Sequence, residues 1–466
     1  MKIQINQAIR NRDGTALVIT AIMLVAVAIA LVTYLTVSLN EYKLVARSQA
    51  WSSSMALTEA GVEDALAFIN KYQGSFTMVT NWSTAASAAA DSWSMDGNTY
   101  TMHRVVDANG DYYDVTIDNS TPSNPTINSV GQLNTLACVD QAQTMFAVAG
   151  LQLGAGTTPI SRQIQVKTVY SALFPGAITT QTNINLNGNN VRVDSFDSTL
   201  TNASAWQTNL GYGTYSGTYA RANGNVATDS SLIGAISVGQ ANIYGHLNTG
   251  PGGTSTVGNN GYAGPLPQVG SGIQPGYSAD DMNSVFPPVV LPAGANNWPS
   301  VPANGIITAS GNYFIMGING SLTINAPNVT IYDDGGINLG GWESITLGTN
   351  ASHVSLYVGG PYISTSGNAT INNLTQNAGM FGIYGLPSLT SINFGGNAAY
   401  TGTIYAPQAN FSYGGGGNNT YDFVGAVVAN SCTLNGHANF HYDESLKRNG
   451  PGIGYIPYSW TEITGN

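Results

Sequence analysis

A histidine pair followed by two carboxylates near the C-terminus is the most chemically suggestive feature of the chain. His437 and His441 are four residues apart, which places them on one face of a strand, and Asp443 and Glu444 follow. Two imidazoles and a carboxylate are suitable ligands for a transition metal. The alternative, which the position in the chain favours, is that these side chains cap the last coil of a β-domain through hydrogen bonds.

A second acidic cluster consists of Asp333 and Asp334, with Glu343 nine residues further on. The run Asp333-Asp334-Gly335-Gly336 is typical of a turn, and its oxygens could also hold Ca²⁺. These three carboxyl groups are the ones that could act as the acid and base of glycoside hydrolysis. A lyase would need an Arg or Lys base, and neither occurs from Ala222 to Leu446. The turn is favoured, so we expect no catalytic residue, no enzyme activity and no cofactor, with Ca²⁺ as the alternative.

The N-terminal region predicts a membrane-spanning helix. Residues 14–40 contain no charged side chain, and a spanning helix needs roughly 20 apolar residues. Because Lys2, Arg10 and Arg12 precede the run, the positive-inside rule places the N-terminus in the cytoplasm and the bulk of the chain outside. Residues 16–39 would contact lipid. A cleaved secretory signal is the alternative, but its apolar core would be shorter.

The helix is predicted to continue without interruption into a soluble, amphipathic half. An apolar stripe at spacings of three, four and seven would pack on a globular body; it comprises Leu44, Trp51, Met55, Val62, Leu66 and Ile69. The sequence therefore divides into a cytoplasmic leader (1–13), the helix (14–72), a small β domain (73–172), a solenoid (173–446) with a Pro/Gly-rich loop (246–304), and a C-terminal tail (447–466).

Two kinds of β-structure follow the helix. Alternating segments such as Tyr112–Ile117 and Ile160–Val166 predict a small antiparallel sheet. From about residue 173, short strands such as 321–325 and 328–332 recur with Gly and Asn at the corners. This pattern predicts a parallel β-helix-like solenoid, with a β-sandwich as the alternative. The fold class is therefore mainly β.

The amino-acid composition limits the classes of molecule that the protein could bind. The net charge of −11 and the 8% content of charged residues argue against binding to nucleic acid. Cys138 and Cys432 could form a disulfide in an oxidising compartment or remain buried thiols. Several aromatic residues could form a sugar-binding surface or pack as core: Tyr212, Tyr215, Tyr219, Tyr244, Trp298, Trp342, Tyr357 and Tyr362.

The N-terminal pattern resembles that of minor pilins of the PilX type. The matching residues are Arg12-Asp13-Gly14, the apolar run, Arg47–Ala50 and Ala56–Glu63, which includes Glu59, Ala60 and Gly61. The resemblance implies prepilin-peptidase cleavage between Gly14 and Thr15, and a helix that packs in a filament core. Major pilins carry Glu at the fifth mature position, where this chain has Ile19. The departure favours a minor or tip subunit.

The C-terminal half resembles an uncharacterised β-helix-like domain of pilus-related bacterial surface proteins. The resemblance rests on Gly402–Pro407, Val424–Val428 and the signature that contains His441, Tyr442, Asp443 and Glu444. It implies no catalytic residues.

Together these patterns predict a minor or tip subunit of a type IV pilus-like or pseudopilus filament, with a structural and adhesive role. The inner membrane would hold the helix, and the β-domain would lie in the periplasm or outside the cell. Expected partners are other pilin subunits, the pilus assembly machinery, the lipid bilayer and surface glycans. The alternatives are a membrane-anchored polysaccharide-degrading enzyme and a permanently anchored surface or matrix protein.

Overall fold

A computed structural model describes most of the chain and divides it into two compact units. Described are residues 4–71, 82–108, 110–121, 124–133, 160–188, 191–199, 215–351, 353–396, 399–415, 422–449 and 452–463. The first unit contains the chain up to Asn70, Ser83–Val169 and the end of the chain from Ile456. The second contains Tyr170–Tyr455 together with Trp82.

One long helix, α1 (Gln4–Lys71), begins the first unit. Among the described residues it is the one helix long and apolar enough to cross a membrane, and its most apolar window has no buried residues and a mean hydropathy of 2.8. A short helix, α2 (Ala85–Ala90), follows, with the Thr84 hydroxyl accepting from the Ser87 N–H as its N-cap. The uncharged run therefore lies within a helix that continues into the soluble part of the chain.

An antiparallel sheet packs beside the C-terminal half of α1. Neighbouring strands pair in chain order, as the alternating segments predict. Its first five strands are β1 (Ser94–Asp96), β2 (Thr99–Val105), β3 (Tyr112–Asp118), β4 (Thr126–Leu133) and β5 (Ile160–Ala172).

The face of α1 that contacts this sheet agrees with the predicted stripe only in part. Val62 and Ile69 of the stripe are buried, but Leu44 and Trp51 are 68% and 47% exposed. Ser54 and Thr58 are also buried. The reason is a close approach of helix and strand: the Ser54 hydroxyl donates to the Gly131 carbonyl at 2.8 Å. The Gly131 N–H in turn donates to the Thr58 hydroxyl at 3.0 Å. Only small side chains fit there, so the contact face is rotated toward them.

The second unit is a solenoid of short strands. The pairings between its strands are parallel, which confirms the predicted solenoid and shows that the alternative β-sandwich is wrong. The strands are β6 (Ile178–Thr180), β7 (Ile184–Asn185), β8 (Arg192–Phe196), β9 (Val226–Thr228), β10 (Ile236–Ser237), β11 (Asn242–Tyr244), β12 (Leu247–Asn248), β13 (Ser255–Thr256), β14 (Tyr262–Gly264), β15 (Gly272–Ile273), β16 (Ser278–Ala279), β17 (Ile306–Ile307), β18 (Gly311–Ile315), β19 (Leu322–Ile324), β20 (Asn328–Asp333), β21 (Ile337–Leu339), β22 (Ser344–Leu347), β23 (His353–Val358), β24 (Tyr362–Thr365), β25 (Thr370–Asn373), β26 (Phe381–Gly385), β27 (Ser391–Phe394), β28 (Tyr400–Gly415), β29 (Asp422–Gly436) and β30 (Asn439–Asp443).

Columns of inward-facing apolar side chains hold the coils together. One column stacks aromatic rings: the centroids of Tyr400 and Phe423 are 4.7 Å apart, and those of Phe423 and Phe440 are 4.3 Å apart. Burial of such columns drives the stacking of coils, none of which could bury its apolar face alone. A second column of register partners consists of Tyr313, Ile331, Leu356, Ile383, Ile404, Val427, Ile178, Val226 and Leu247.

The order of the coils in space differs from their order in sequence. The last coil pairs with the first, because Val427 of β29 is the register partner of Ile178 of β6. The chain therefore enters the solenoid in its middle, winds outward through β14, and later winds back from β17 to β30. We call the contact between β29–β30 and β6–β8 the seam.

Residues between β16 and β17 connect the two halves of the solenoid. Val289 and Ala295 are buried in this stretch, and the Tyr405 hydroxyl donates to the Pro287 carbonyl at 2.8 Å. The predicted Pro/Gly-rich loop, 246–304, thus combines the strands β12–β16 with a crossing along the solenoid. Short 3₁₀ turns occur at Gly217–Tyr219, Ala295–Asn297 and Ala378–Met380.

The end of the chain returns to the first sheet. A short helix, α3 (Leu446–Asn449), precedes β31 (Gly452–Ile463), which lies next to β5 as the sixth strand. Arg162 Nη2 and Glu462 Oε1 form an ion pair at 2.6 Å between these two strands. Residues 447–466, predicted as a tail, therefore contribute structure.

Candidate functional site

The His-Tyr-Asp-Glu signature lies at the seam. β30 is paired with β8, and His441 is the register partner of Asp194. The two side chains are 2% and 0% exposed, and the distance from His441 Nδ1 to Asp194 Oδ1 is 2.5 Å. The Tyr215 ring stacks on the imidazole with centroids 3.5 Å apart, and its hydroxyl donates to Asp194 Oδ2 at 2.8 Å. Arg192 Nε donates to the same oxygen at 2.7 Å, so this buried carboxylate is fully compensated.

A second set of charges adjoins the first. Arg448 Nη2 donates to both carboxylate oxygens of Asp197, at 2.8 and 2.7 Å. Arg221 Nη1 lies 2.8 Å from Glu444 Oε2 and 3.7 Å from Asp197 Oδ2. Although burial raises the pKa of Asp197, hydrogen bonds from Thr199 and Arg448 lower it below the ordinary value. The carboxylate is thus held in its charged form between two arginines.

Glu444 and Asp443 complete this network. Glu444 Oε1 accepts from the Ser195 hydroxyl and from the Asn223 amide, each at 2.8 Å. Asp443 Oδ1 accepts from the backbone N–H groups of Ser198 and Ser445, at 3.2 and 3.0 Å. Burial raises the pKa of Asp443 above its ordinary value. His441, Asp443 and Glu444 of the signature therefore bind β8 or the residues that follow it.

The structure corrects the expectation of an end cap. His441, Tyr442, Asp443 and Glu444 lie between two coils in the middle of the stack, where the chain's return path closes on its own beginning. Tyr442 supports the same closure by donating its hydroxyl to the Phe174 carbonyl at 2.7 Å. The network fastens two parts of the solenoid that are 247 positions apart in sequence.

The predicted transition-metal ligands do not converge. His437 is exposed in the turn before β30, whereas His441 and Asp443 are buried with the protein partners given above. Within the described ranges, no group of three or more His, Cys, Asp and Glu side chains is placed to hold a metal ion.

Asp333, Asp334 and Glu343 serve two different turns. Asp333 is fully buried at the end of β20 and its Oδ1 accepts from the Gly335 N–H at 3.1 Å. Burial raises its pKa to about 7, against the N–H groups of nearby glycines, which lower it. Asp334 is exposed and accepts from the Tyr332 hydroxyl at 2.5 Å. Glu343 Oε2 accepts from the Gly340 N–H at 2.8 Å in the turn after β21.

The remaining predicted positions lie in the first unit or the core. Gly14 and Thr15 lie within the continuous helix α1. Further along, Glu59 is exposed, Ala60 is half-buried and Gly61 is buried, and a Cβ on Gly61 would meet Ser129 and the Tyr113 ring.

The two cysteines were predicted as a pair or as buried thiols. Cys432 is fully buried in β29, where burial raises the pKa of its thiol. Cys138 lies outside the described residues.

A groove opens on the outer surface beside the seam. Its volume is about 330 Å³. Its floor follows outward positions of successive coils, because Thr401 is the register partner of Val424, and Val424 of His441. Tyr215, which covers His441, also lines it. The lining residues are Tyr215, Ile371, Asn372, Asn373, Leu374, Gln376, Ala399, Tyr400, Thr401 and Val424.

The partners of the signature were missed at the sequence level. Asp194, Tyr215, Arg221 and Arg448 belong to no recognisable motif. One signal was present: Arg221 and Lys447-Arg448 bracket the long stretch without Lys or Arg. Both arginines pair with the carboxylates of the seam.

The aromatic residues predicted as sugar-binding or core divide between buried and exposed positions. Tyr244 and Tyr357 are buried, while Trp342 and Tyr362 are 84% and 43% exposed. Tyr215, Tyr219 and Trp298 are half-buried, and Tyr212 lies outside the described residues. Of the seven that the structure describes, Tyr215 lines the groove.

Comparisons with known proteins give limited information. Residues 290–449 match the model of a family described as a domain of unknown function (DUF7305). No curated protein matches the chain. Among solved structures, it is similar to the competence-associated pilin ComZ from Thermus thermophilus, with 11% identity, a TM-score of 0.26, and coverage of 89% of this chain and 98% of that chain. A similarity at that TM-score supports neither fold nor function here.

Proposed function

We propose that the protein is a pilin-like subunit that presents its solenoid on a surface filament. The observation that carries the proposal is the division of α1 into two halves. Residues 15–38 are uncharged, mostly apolar and exposed, whereas Val62, Ala65 and Phe68 are buried against the antiparallel sheet. A single helix with these two environments suits a subunit that is first stored in a bilayer and later packed against other subunits.

Several contacts join the soluble half of α1 firmly to its sheet. Phe68 stacks on Trp93 with ring centroids 4.8 Å apart. Asp64 accepts from Arg104 Nη1 at 2.6 Å, and also from the Tyr113 hydroxyl. A force applied along the helix would therefore be transmitted to the globular part of the first unit.

The finer role that we propose is that of a minor or tip subunit. The second unit extends from Tyr170 to Tyr455, and a domain of that size would obstruct packing within a slim shaft. The N-terminus would be cytoplasmic, the helix would lie in the inner membrane before assembly, and the solenoid would be periplasmic or extracellular. Other pilin subunits and the assembly machinery would be its partners.

We also propose that the solenoid acts by adhesion rather than catalysis, with surface glycans as ligands. Asp333 and Glu343 accept hydrogen bonds from glycine N–H groups in different turns, so both carboxylates have a structural role. Substitution of Asp333 should therefore change the stability of the protein. If Asp333 were a catalytic residue, its substitution would instead abolish polysaccharide degradation.

The decisive experiment determines the mature N-terminus by mass spectrometry of the native protein in membrane and sheared-surface fractions. A chain that begins at Thr15 in the sheared fraction would support the filament subunit. An intact Met1 found only in membranes would contradict it and favour a permanent anchor. A start beyond Ala28 would indicate a cleaved secretory signal and a freely secreted β-protein.

A further inference from the structure

The groove beside the seam has the composition of a site for a neutral polar ligand. Its half-exposed floor carries the amide of Asn372, the hydroxyl of Thr401 and the methyl groups of Val424. Leu374, which is 53% exposed, lines one side, and Tyr215 lies at the seam end. None of the described residues that line it is Asp, Glu, Lys, Arg or His. Ligand sites commonly combine an apolar surface with a few placed polar groups in cavities of about 300–1,000 Å³.

One wall of the groove is built around a buried amide. Asn373 is 7% exposed, and its Nδ2 donates to the carbonyls of Asn377 and Thr401 at 2.9 and 3.2 Å. Its Oδ1 accepts from the Thr375 N–H and hydroxyl at 3.0 and 2.6 Å. The four bonds fix residues 374–377 against the neighbouring coil. The wall is thus formed before any ligand binds.

The wall holds Gln376 in an unfavourable backbone conformation. Its φ of 55° is in the left-handed region, which a residue with a long side chain rarely adopts and which Gly would adopt without strain. Backbone strain of this kind persists only where the surroundings impose it, and it is concentrated at functional sites. Gln376 is exposed and lines the groove, so its amide is presented at the rim.

The floor carries polar groups that can make more hydrogen bonds than they make with the described residues. Asn372 Nδ2 donates to the Thr370 hydroxyl at 2.9 Å, which uses one of the several bonds an amide side chain can make. Thr401 adds a hydroxyl one coil away. Alternating amide, hydroxyl and methyl groups match a sugar ring, which has hydroxyls at its edge and C–H groups on its face.

From these observations we infer that the groove binds the neutral end of a glycan, a mono- or disaccharide unit without carboxylate or sulfate. None of the described residues that line the groove is a cation that could pair with an acidic sugar, and Arg192, Arg221 and Arg448 are paired with carboxylates at the seam. The negative net charge of the protein would repel it further. The inference rests on the proposed adhesive role and names the site and ligand class.

The test uses the full chain in a detergent without a sugar headgroup, because sugar detergents would compete for the groove. Binding is measured on an array of neutral and uronate-containing oligosaccharides, and then by titration with the neutral oligosaccharide that binds best. We expect neutral glycans to bind and uronates not to bind. Gln376→Gly and the double variant Asn372→Ala/Thr401→Ala should each weaken binding about tenfold or more, as expected for one or two lost hydrogen bonds.

Two features separate a lost ligand contact from a damaged fold. Gln376→Gly relieves the unfavourable φ, so it should unfold at the same or a higher temperature than the natural protein while it binds more weakly. Thr346→Ala is the matched control, because Thr346 is the register partner of Asn372 on the next coil but does not line the groove. It should bind as the natural protein does.

The inference would be overturned by any of three results: no neutral glycan binds, uronates bind better, or the groove variants bind as well as Thr346→Ala. The proposed filament role fails on a different readout, the N-terminus and fraction of the same preparations. A natural protein that begins at Thr15 in the sheared fraction but binds no neutral glycan would overturn the ligand assignment alone.

Discussion

Arg221 and Arg448 share one carboxylate, that of Asp197, although they bracket the long stretch of chain that contains neither Lys nor Arg. Arg448 Nη2 lies 2.7 Å from Asp197 Oδ2 and Arg221 Nη1 lies 3.7 Å from it. Arg221 precedes strands β9–β30, which run through both halves of the solenoid, and Arg448 follows them. The positive charges of the solenoid are therefore concentrated where that run of strands closes.

The seam should be disproportionately sensitive to loss of Asp194. Asp194→Ala removes the partner of His441, Arg192 and Tyr215 from a site that is 0% exposed. Breaking a buried charge network by deleting one partner costs about 3–5 kcal/mol. The urea-unfolding midpoint of the solenoid should fall accordingly, and hydrogen exchange of β8 and β30 should accelerate.

The matched control is Asp281→Ala at an exposed acidic residue of the same unit. Its effect should stay within about 0.5 kcal/mol, as for most surface substitutions. Equal effects of the two variants would show that the seam network contributes little to stability.

The raised pKa of Asp333 predicts a pH dependence of stability. The folded-state pKa is about 7 and the ordinary value is 3.8, so the folded protein binds more protons than the unfolded chain between these values. The contribution of Asp333 to the free energy of unfolding should therefore be most favourable below about pH 4 and should decline as the pH rises to about 7. The expected loss is a few kcal/mol at most.

Unfolding midpoints measured from pH 4 to 8 for the natural protein and Asp333→Asn test this prediction. The unfolding midpoint of Asp333→Asn should decline less with rising pH than that of the natural protein, since the variant carries no titrating group at this position. Asp334→Asn, at the exposed neighbour, should reduce the slope much less, because burial is the main cause of the raised pKa of Asp333 and the charge of Asp334 is a smaller one. A natural and an Asp333→Asn curve that run parallel throughout would refute the assignment.

The close contact of helix and sheet in the first unit should not tolerate a methyl group at Gly131. A Cβ there would lie 2.5 Å from the Ser54 carbonyl oxygen and 2.6 Å from the Thr58 nitrogen. Overpacking of this kind costs about 1–3 kcal/mol, so Gly131→Ala should expose the soluble half of α1 to proteases. Gly320→Ala is the control, because a Cβ at that position meets nothing within 4 Å. Equal protection of both variants would mean that the sheet can shift without cost.

Processing at Gly14 is the most direct test of assembly. If the peptide bond between Gly14 and Thr15 is cut by a prepilin peptidase, Gly14→Val should keep the intact Met1 chain in the membrane fraction. Ala16→Val, two residues later in the apolar run, should be processed normally. Release of Gly14→Val into the sheared fraction with a start at Thr15 would contradict the proposed cleavage requirement.

Local pattern was enough to predict the elements but not their arrangement. Short strands with Gly and Asn corners, such as 321–325 and 328–332, lie where the solenoid strands β19 and β20 form. Nothing local indicates that β29 pairs with β6, because Val427 and Ile178 are ordinary apolar residues that would fit any coil. Pairing order depends on the whole chain, so the signature was placed at an end when it lies in the middle.

The helix shows a similar limit. Periodicity located the amphipathic half of α1, but the contact face depends on Gly131, a residue of a distant strand that allows Ser54 and Thr58 to approach. A prediction from hydrophobic periodicity favours large apolar residues, so it includes Leu44 and Trp51, which are exposed. For the candidate site, the sequence pattern indicated His441 and Asp443 but not Asp194, whose partners His441 and Tyr215 come from two other segments.

The winding order also has an evolutionary consequence. The chain enters and leaves the solenoid side by side, with the rings of Tyr170 and Tyr455 5.7 Å apart, and both ends of the stack are made of internal sequence near β16 and β17. Duplication of a coil in that internal region would lengthen the domain without moving its point of attachment or its closing network. Relatives could thus vary the reach of this domain by tandem duplication alone.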